Sequence, residues 1–340
     1  MTRSRRQTAI LIALCAIWFA LTMFPVYWVG INSFKPPQAV NAGPTFLPWV
    51  DFTPTVQAYV DAWSGKRGNF VNTFFNSIIV GLSATLISVV LGSMAAYALV
   101  RFEFRVRLLA ALGFVAAGIG GYLGLAKVMG LGEVASMSLA FLFALAASIT
   151  LNRLPLPGAV LSNNDVVFWF VSQRMMPPIV SAFALYLLYS KIGQETGLRA
   201  LDSYWGLTLC YVAFGLPLVV WLMRDFFESI PIEVEEAALV DNVPRLRIFW
   251  DIVLPMARPG LIAVALITLG FIWNEFLFAL ILTTGDWQTL PVLLAGQNSY
   301  RGDEWWAISV AVVISIGPMM VITYFLARMM RSGVMLGSIK

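Results

Sequence analysis

Runs of about twenty apolar residues recur along this chain of 340 residues, and nothing else narrows its fold so far. They fall at 9–31, 71–100, 108–126, 134–151, 166–189, 204–223, 260–282 and 305–327. About 20 such residues wound as a helix cross the roughly 30 Å hydrocarbon layer of a bilayer. No water satisfies the backbone there, so long apolar runs cross as helices. The expectation is an all-α, polytopic transmembrane protein with eight spans. Composition agrees: 59% of residues are hydrophobic, 12% are charged and there is no His, which excludes an ordinary soluble domain. The net charge of +4 is too small to indicate nucleic-acid affinity. Cys15 and Cys210 both lie in apolar runs, so neither a disulfide framework nor a zinc site is indicated.

Charge placement orients these spans. Arg3, Arg5 and Arg6 precede the first run, which continues through Trp18, Phe24 and Trp28 without a small-residue cleavage site. It reads as a retained span rather than a signal peptide. Of the 22 Lys and Arg residues, fourteen fall in segments assigned to the inside, seven outside, and Arg174 in neither. That bias puts both termini in the cytoplasm. Residues 35–70 carry Pro, Gly, Asn and Asp with Trp49 and Trp63, and read as an external loop with short amphipathic pieces near the headgroups. Residues 191–203 and 283–304 also read as external loops, the latter with Trp287, Gln297, Asn298 and Tyr300.

Between the runs 204–223 and 260–282 lies a long, strongly polar segment, SIPIEVEEAALVDNVPRLRIFWDIVLPMARP, at 229–259. Pro231 suits the first position of a helix, where its missing N–H costs nothing. Glu233, Glu235 and Glu236 then fall in the first turns, where carboxylates favour the positive helix end. Ala237, Ala238, Leu239 and Val240 give a small apolar surface. Asn242 tolerates a left-handed backbone and Pro244 follows, so a helix over 232–241 stops there. A second short helix from Leu246 to about Val253 leads to Pro255 and Pro259. On physics alone this is either a helix–turn–helix with a docking face or an ordinary structured loop.

The order Glu236-Ala237-Ala238, three residues, Asn242, nine residues, Ile252-x-Leu254-Pro255 resembles the cytoplasmic coupling motif of importer-type ABC transporter permeases. The chain around it resembles their carbohydrate-uptake, maltose-transporter-like branch. Asn76-Ser77, Ala95-Ala96-Tyr97-Ala98, Arg101-Phe102, Arg174-Met175-Met176-Pro177-Pro178, Phe226-Phe227-x-Ser229-Ile230-Pro231, Trp273-Asn274-Glu275-Phe276 and Ser332-Gly333 match in family order over most of the chain. The family has Gly at Asn242, and Asn is the next best residue for a left-handed turn. The resemblance implies a permease subunit of a bacterial inner-membrane importer for a sugar, oligosaccharide or polyol, with no cofactor of its own. Implied partners are a second, homologous permease, two cytoplasmic ATPases that bind ATP and Mg²⁺, a periplasmic solute-binding protein and membrane lipid. The ATPase-coupling residues it implies are Glu233, Glu235, Glu236, Ala237, Ala238, Asn242, Ile252, Leu254 and Pro255.

Residues 1–340 read as one permease domain, with one departure from the family plan. After Arg101, Arg105 and Arg107 the family leads almost directly into the span with Arg174; here 108–164 intervenes. It holds two apolar runs, 108–126 and 134–151, joined by KVMGLGE. The coupling segment and the N-terminal arginines share one side, so the insertion adds zero spans or two. Two are expected, with glycines at 113, 118, 120, 121 and 124 permitting close contact. The alternative is a re-entrant or surface-lying hairpin.

There is no P-loop, no G-x-G-x-x-G before a strand and no HExxH. Without His the common general bases are largely gone, and the chain is not expected to be an enzyme. Polar residues at membrane depth are Asn76, Ser77, Arg174, Asn274 and Glu275, costly unless they face a partner or a cavity. Trp273 and Phe276 suit stacking on a sugar ring while Asn274 and Glu275 accept its hydroxyls; the same set would also serve as helix–helix glue. Phe183 and Tyr186 are further candidates for the pathway wall. Arg174 with Pro177-Pro178 marks either a broken helix facing a cavity or an arginine reaching lipid phosphate. A self-contained secondary transporter is the alternative function, but no inverted repeat is evident, and a coupling segment serves nothing without an ATPase.

Overall fold

The computed structural model describes residues 5–41, 45–65, 69–154, 158–296 and 305–331. Arg3, Lys66, Arg67, Gln297, Asn298, Tyr300 and the Ser332-Gly333 pair lie outside the described residues. The chain opens with the long helix α1 (Arg5–Ser33), the short α2 (Pro37–Asn41) and α3 (Gln57–Trp63), and the long α4 (Phe70–Arg101). A strand β1 (Val106–Arg107) leads into α5 (Leu108–Leu123), prolonged by a π-helical turn (Gly124–Val128), and then α6 (Glu133–Arg153). Next come β2 (Val160–Leu161), α7 (Asn163–Ser172), a 3₁₀ turn (Gln173–Met175), α8 (Pro178–Thr196) and α9 (Tyr204–Glu228). The polar segment forms α10 (Ile232–Val240), α11 (Arg245–Ile248), a π-helical turn (Phe249–Val253) and α12 (Leu254–Met256). The remainder is α13 (Arg258–Trp273), α14 (Leu277–Leu282), α15 (Leu290–Gly296) and α16 (Trp305–Arg331).

Among the described residues six helices are long and apolar enough to cross a membrane: α1, α4, α5 with its π-helical turn, α6, α9 and α16. Two bent pairs, each counted as one span, bring the number up to 8: α7 with α8, bent by 90°, and the segment Arg245–Met256 with α13, bent by 79°. The break before Pro178 agrees with the reading of Pro177-Pro178, since Pro removes a helix bond and restricts the residue before it. The expected single span 260–282 is also broken, at Asn274–Phe276. There the Glu275 carboxylate accepts the N–H groups of Phe278 at 3.0 Å and Ala279 at 3.3 Å and starts α14. Helix α8 runs on into the expected loop until Gly197, at φ +74°, ends it. The β1–β2 ladder, Val106↔Leu161 and Arg107↔Val160, is a small exception to the all-α reading.

The residues gather into two compact units, each described by itself. One comprises Met1–Ser77 and Thr289–Val321. In it the Ser77 hydroxyl accepts the Leu290 N–H at 2.8 Å, and Lys35 is buried with its ammonium donating to the Thr45 carbonyl at 2.6 Å. The other comprises Ile78–Gln288 and Ile322–Lys340. Here Asn163 ties α7 to the end of α4: its amide donates to the Leu99 and Phe102 carbonyls, both at 2.6 Å, and its oxygen accepts Phe104 N–H at 2.8 Å. The β1–β2 ladder therefore closes the α5–α6 hairpin at this end. At the hairpin tip the Glu195 carboxylate of α8 accepts the N–H groups of Glu133 and Val134, both at 2.7 Å, and caps α6. Close by, the Tyr189 hydroxyl donates to the Gly206 carbonyl at 3.0 Å, tying α8 to the start of α9. Helix α9 has 25 residues, about 37 Å at 1.5 Å per residue, so the hairpin runs between the same two ends as α9.

Asp202, at φ +49°, knots the α8–α9 turn to the segment after α14. Its carboxylate accepts Asp286 N–H and Trp287 N–H, each at 3.0 Å, and pairs with Arg199 at 3.2 Å. Burial pushes the Asp202 carboxyl up, but the N–H groups of Trp287, Asp286, Gly285 and Thr284 outweigh it and hold the group below the usual carboxylate range. A depressed folded value adds stability above the unfolded value, about 3.9, which is lost as pH falls through the folded one. Asn suits the left-handed backbone, so Asp202→Asn keeps the turn while removing the charge and one of the two accepting oxygens. In denaturation series the variant is expected to be less stable than the native chain at pH 7, with the gap closing toward pH 3.

Candidate functional site

The polar segment is held by a core around Tyr97, on the last turns of α4. The Tyr97 ring lies 4.9 Å from that of Phe249 and 5.8 Å from that of Phe227, centroid to centroid. Val219, Val220 and Met223 of α9, Ile248 and Val253 of the polar segment, and Val264 of α13 complete this core. Gly260 is needed for the approach: a Cβ there would sit 2.4 Å from the Phe226 ring. Within this apolar setting lies one ion pair. The Arg101 Nε donates to Glu235 Oε1 and the Tyr97 hydroxyl to Glu235 Oε2, each at 2.6 Å. Arg101 also donates to the carbonyls of Phe227 at 3.2 Å and Ile230 at 2.8 Å, which lie at the end of α9 and just beyond it. The Arg101 and Glu235 side chains are only 9% and 7% exposed.

This pairing divides α10 into two faces. Glu235 and Ala238 point into the core. Glu233, Glu236, Ala237 and Val240 are exposed and, at spacings of three and four, share one helix face. The sequence reading grouped Glu235 with the outward acids; the structure turns it inward because Tyr97 and Arg101 supply its partners. Asn242 adopts φ +57°, the left-handed turn expected of it. The Asn242 N–H donates to Leu239 O at 3.0 Å and Val243 N–H to Ala238 O at 3.1 Å, closing α10. Ile252 and Leu254 are half-buried against the core and Pro255 is half-buried beside them, while Leu246 and Trp250 stay exposed one turn apart.

The 3₁₀ turn and the start of α8, with α9, α13 and α14, border a cavity of about 300 Å³, lined by Gln173, Arg174, Thr268, Phe271, Glu275 and Phe278 among others. Arg174 lies in the 3₁₀ turn, its guanidinium 5.1 Å from the centre of the Phe271 ring. The Thr268 hydroxyl is buried and has no hydrogen-bond partner among the described residues. Two of the residues expected on a pathway, Arg174 and Glu275, thus meet in one place. Trp273 is buried on the side facing Gly81, where a Cβ would lie 3.9 Å from its ring. Asn274 is exposed and donates to the Gly270 carbonyl at 2.8 Å. Phe276 sits in the break, and Phe183 and Tyr186 are exposed on α8, outside the cavity lining. Thr268 and Phe271 were missed, although 268, 271 and 275 follow helical spacing.

Residues 163–335, about half of the chain, match the family described as binding-protein-dependent transport system inner membrane component. The chain belongs to that family. It is 28% identical to a diacetylchitobiose uptake system permease protein of Streptomyces coelicolor, over 99% of this chain and 90% of that one. It is 29% identical to a trehalose/maltose transport system permease protein of Thermococcus litoralis, over 97% of this chain and 96% of that one. Its fold is similar to a chain of a bacterial ABC transporter involved in the import of the acidic polysaccharide alginate. There the TM-score is 0.62 at 21% identity, over 96% of this chain and 99% of that one. The molecule is thus a multi-pass membrane component of an ABC-type transport system.

Removing one partner of a buried pair leaves the other charge uncompensated, at a cost of about 3–5 kcal/mol. Glu235→Ala is expected to lower stability by an amount of that order and to expose α10 to limited proteolysis. Replacing Arg101 by Met and Glu235 by Leu together is expected to restore much of the loss in a double-mutant cycle.

Proposed function

We propose that this chain is a permease subunit of an ATP-driven importer, and that with a second, homologous permease it forms the path for a sugar, oligosaccharide or polyol across a bacterial inner membrane. The observation that carries this reading is the exposed face of α10, Glu233, Glu236, Ala237 and Val240, backed by the buried Glu235. Small side chains leave room for a second protein, and the acids at the helix start give it polarity. The occupant is a cytoplasmic ATPase subunit, one of a pair that binds ATP and Mg²⁺. Both termini then lie in the cytoplasm, and a periplasmic solute-binding protein delivers the solute from the opposite side. The trehalose, maltose and diacetylchitobiose systems named for the relatives support a carbohydrate cargo.

Coupling follows from the same contacts. Closure of the ATPase pair shifts α10, and Glu235 carries the shift into α4 through Tyr97 and Arg101. Arg101 carries it on to the end of α9 through the Phe227 and Ile230 carbonyls. The bent pairs bordering the Arg174–Glu275 cavity are the elements that have joints at which to respond. A self-contained carrier would have no use for the exposed face.

Ala237→Trp puts a bulky ring on that face. It is expected to cut uptake tenfold or more, equivalent to about 1.4 kcal/mol of docking free energy, while the permease still inserts. Uptake assays with pull-down of the ATPases check it; normal uptake with full ATPase retention would sink the docking assignment. Glu275→Gln removes a charge from the cavity. It is expected to change the KM for uptake by roughly tenfold, as for one charge-assisted hydrogen bond, in a complex that assembles normally. Unchanged kinetics across a panel of sugars and polyols would return Glu275 to a purely structural role.

A further inference from the structure

The α5–α6 hairpin has no part in the coupling route, yet it carries a built feature of its own. Between its helices lies a groove of about 550 Å³, lined by Phe114, Gly118, Ile119, Leu123, Met137 and Phe141 among others. Phe114 and Phe141 meet edge to face, 5.8 Å apart, in its wall. Small residues set its floor: a Cβ on Gly118 would lie 3.6 Å from the Ala144 Cβ, and one on Gly121 3.4 Å from Ala140. Lys127 is exposed in the π-helical turn that prolongs α5, beyond Leu123 at the tip end of the groove. Lys127 has no ion-pair partner among the described residues, whereas the neighbouring cation Lys191 is paired with Glu133 at 3.4 Å.

We infer that this groove is a phospholipid site, holding one acyl chain along α5 and α6 with the headgroup phosphate against Lys127. The inference rests on the reading that the hairpin crosses the bilayer. With its π-helical turn α5 has 21 residues, as does α6, about 31 Å each, which matches the hydrocarbon layer. An unfilled groove facing lipid forfeits dispersion contacts along both walls, so it is filled from the bilayer. A single flexible acyl chain can follow this exposed groove between the two helices. Charge fixes the polarity: at the tip Glu133 is paired with Lys191, and Glu195 is occupied by the N–H groups that start α6. Among the described residues at this tip, Lys127 is then the cation without an ion-pair partner, placed to meet phosphate where hydrocarbon gives way to headgroups.

The test uses the full transporter, extracted gently in detergent, with retained phospholipid counted by native mass spectrometry. Met137 and Lys127 are both exposed, so Met137→Trp, which fills the groove, and Lys127→Glu, which reverses the phosphate contact, leave the packing of the hairpin intact. The native chain is expected to retain one phospholipid that both variants lose. Topology is read separately by replacing Met129 with Cys in a chain whose Cys15 and Cys210 are Ser. An impermeant thiol reagent added from the periplasmic side is expected to label it. Absence of that labelling overturns the crossing on which the site rests. Normal labelling with equal lipid retention in all three chains overturns the lipid site alone.

Discussion

A buried ion pair between Arg101 and Glu235 joins two parts of this molecule that have opposite solvent needs. Helix α4 is an apolar span, and α10 must present its outer face to water. Burying two charges costs several kcal/mol each unless geometry and further hydrogen bonds compensate. Here both conditions are met, because Tyr97 takes the second carboxylate oxygen and the Phe227 and Ile230 carbonyls take the guanidinium's spare donors. Three elements, α4, α9 and α10, are thereby held at one point. A helix tied in this way moves with the spans behind it instead of hinging freely on its loops.

The second constraint is the cost of polar groups at membrane depth. The chain meets it by breaking helices where those groups lie and turning the freed backbone inward. Glu275 takes over the first N–H groups of α14, and Asn274 returns its amide to Gly270. Opposite, the break before Pro178 carries Arg174 onto the face of Phe271. Two breaks therefore border one cavity, and the buried Thr268 hydroxyl beside it has no hydrogen-bond partner among the described residues.

The hairpin follows a different logic. A two-residue ladder closes its base, so the chain leaves and returns beside the end of α4 and the start of α7. Its tip is secured by a borrowed cap, Glu195, because Gly132 has no side chain to cap α6. The hairpin is thereby fixed at both ends.

What the sequence determined by itself is what depends on local chemistry and on length. Apolar runs of membrane-spanning length dictate helices, the Pro177-Pro178 pair dictates a break, and Asn242 with Pro244 dictates where α10 stops. The helix–turn–helix of the polar segment was legible for the same reason, since its caps and small face are written in consecutive residues. Only the tertiary structure decided which of the three acids on α10 faces inward, because the partners of Glu235 lie more than a hundred residues away in α4. It also decided that 260–282 is two helices, since a single Glu competes with helix continuity only where its carboxylate can reach the next N–H groups. The gathering of Arg174, Thr268 and Glu275 around one cavity belongs to the same class. Arg174 and Glu275 read singly as costly polar residues and Thr268 as an unremarkable one, and only helix packing brings the three together.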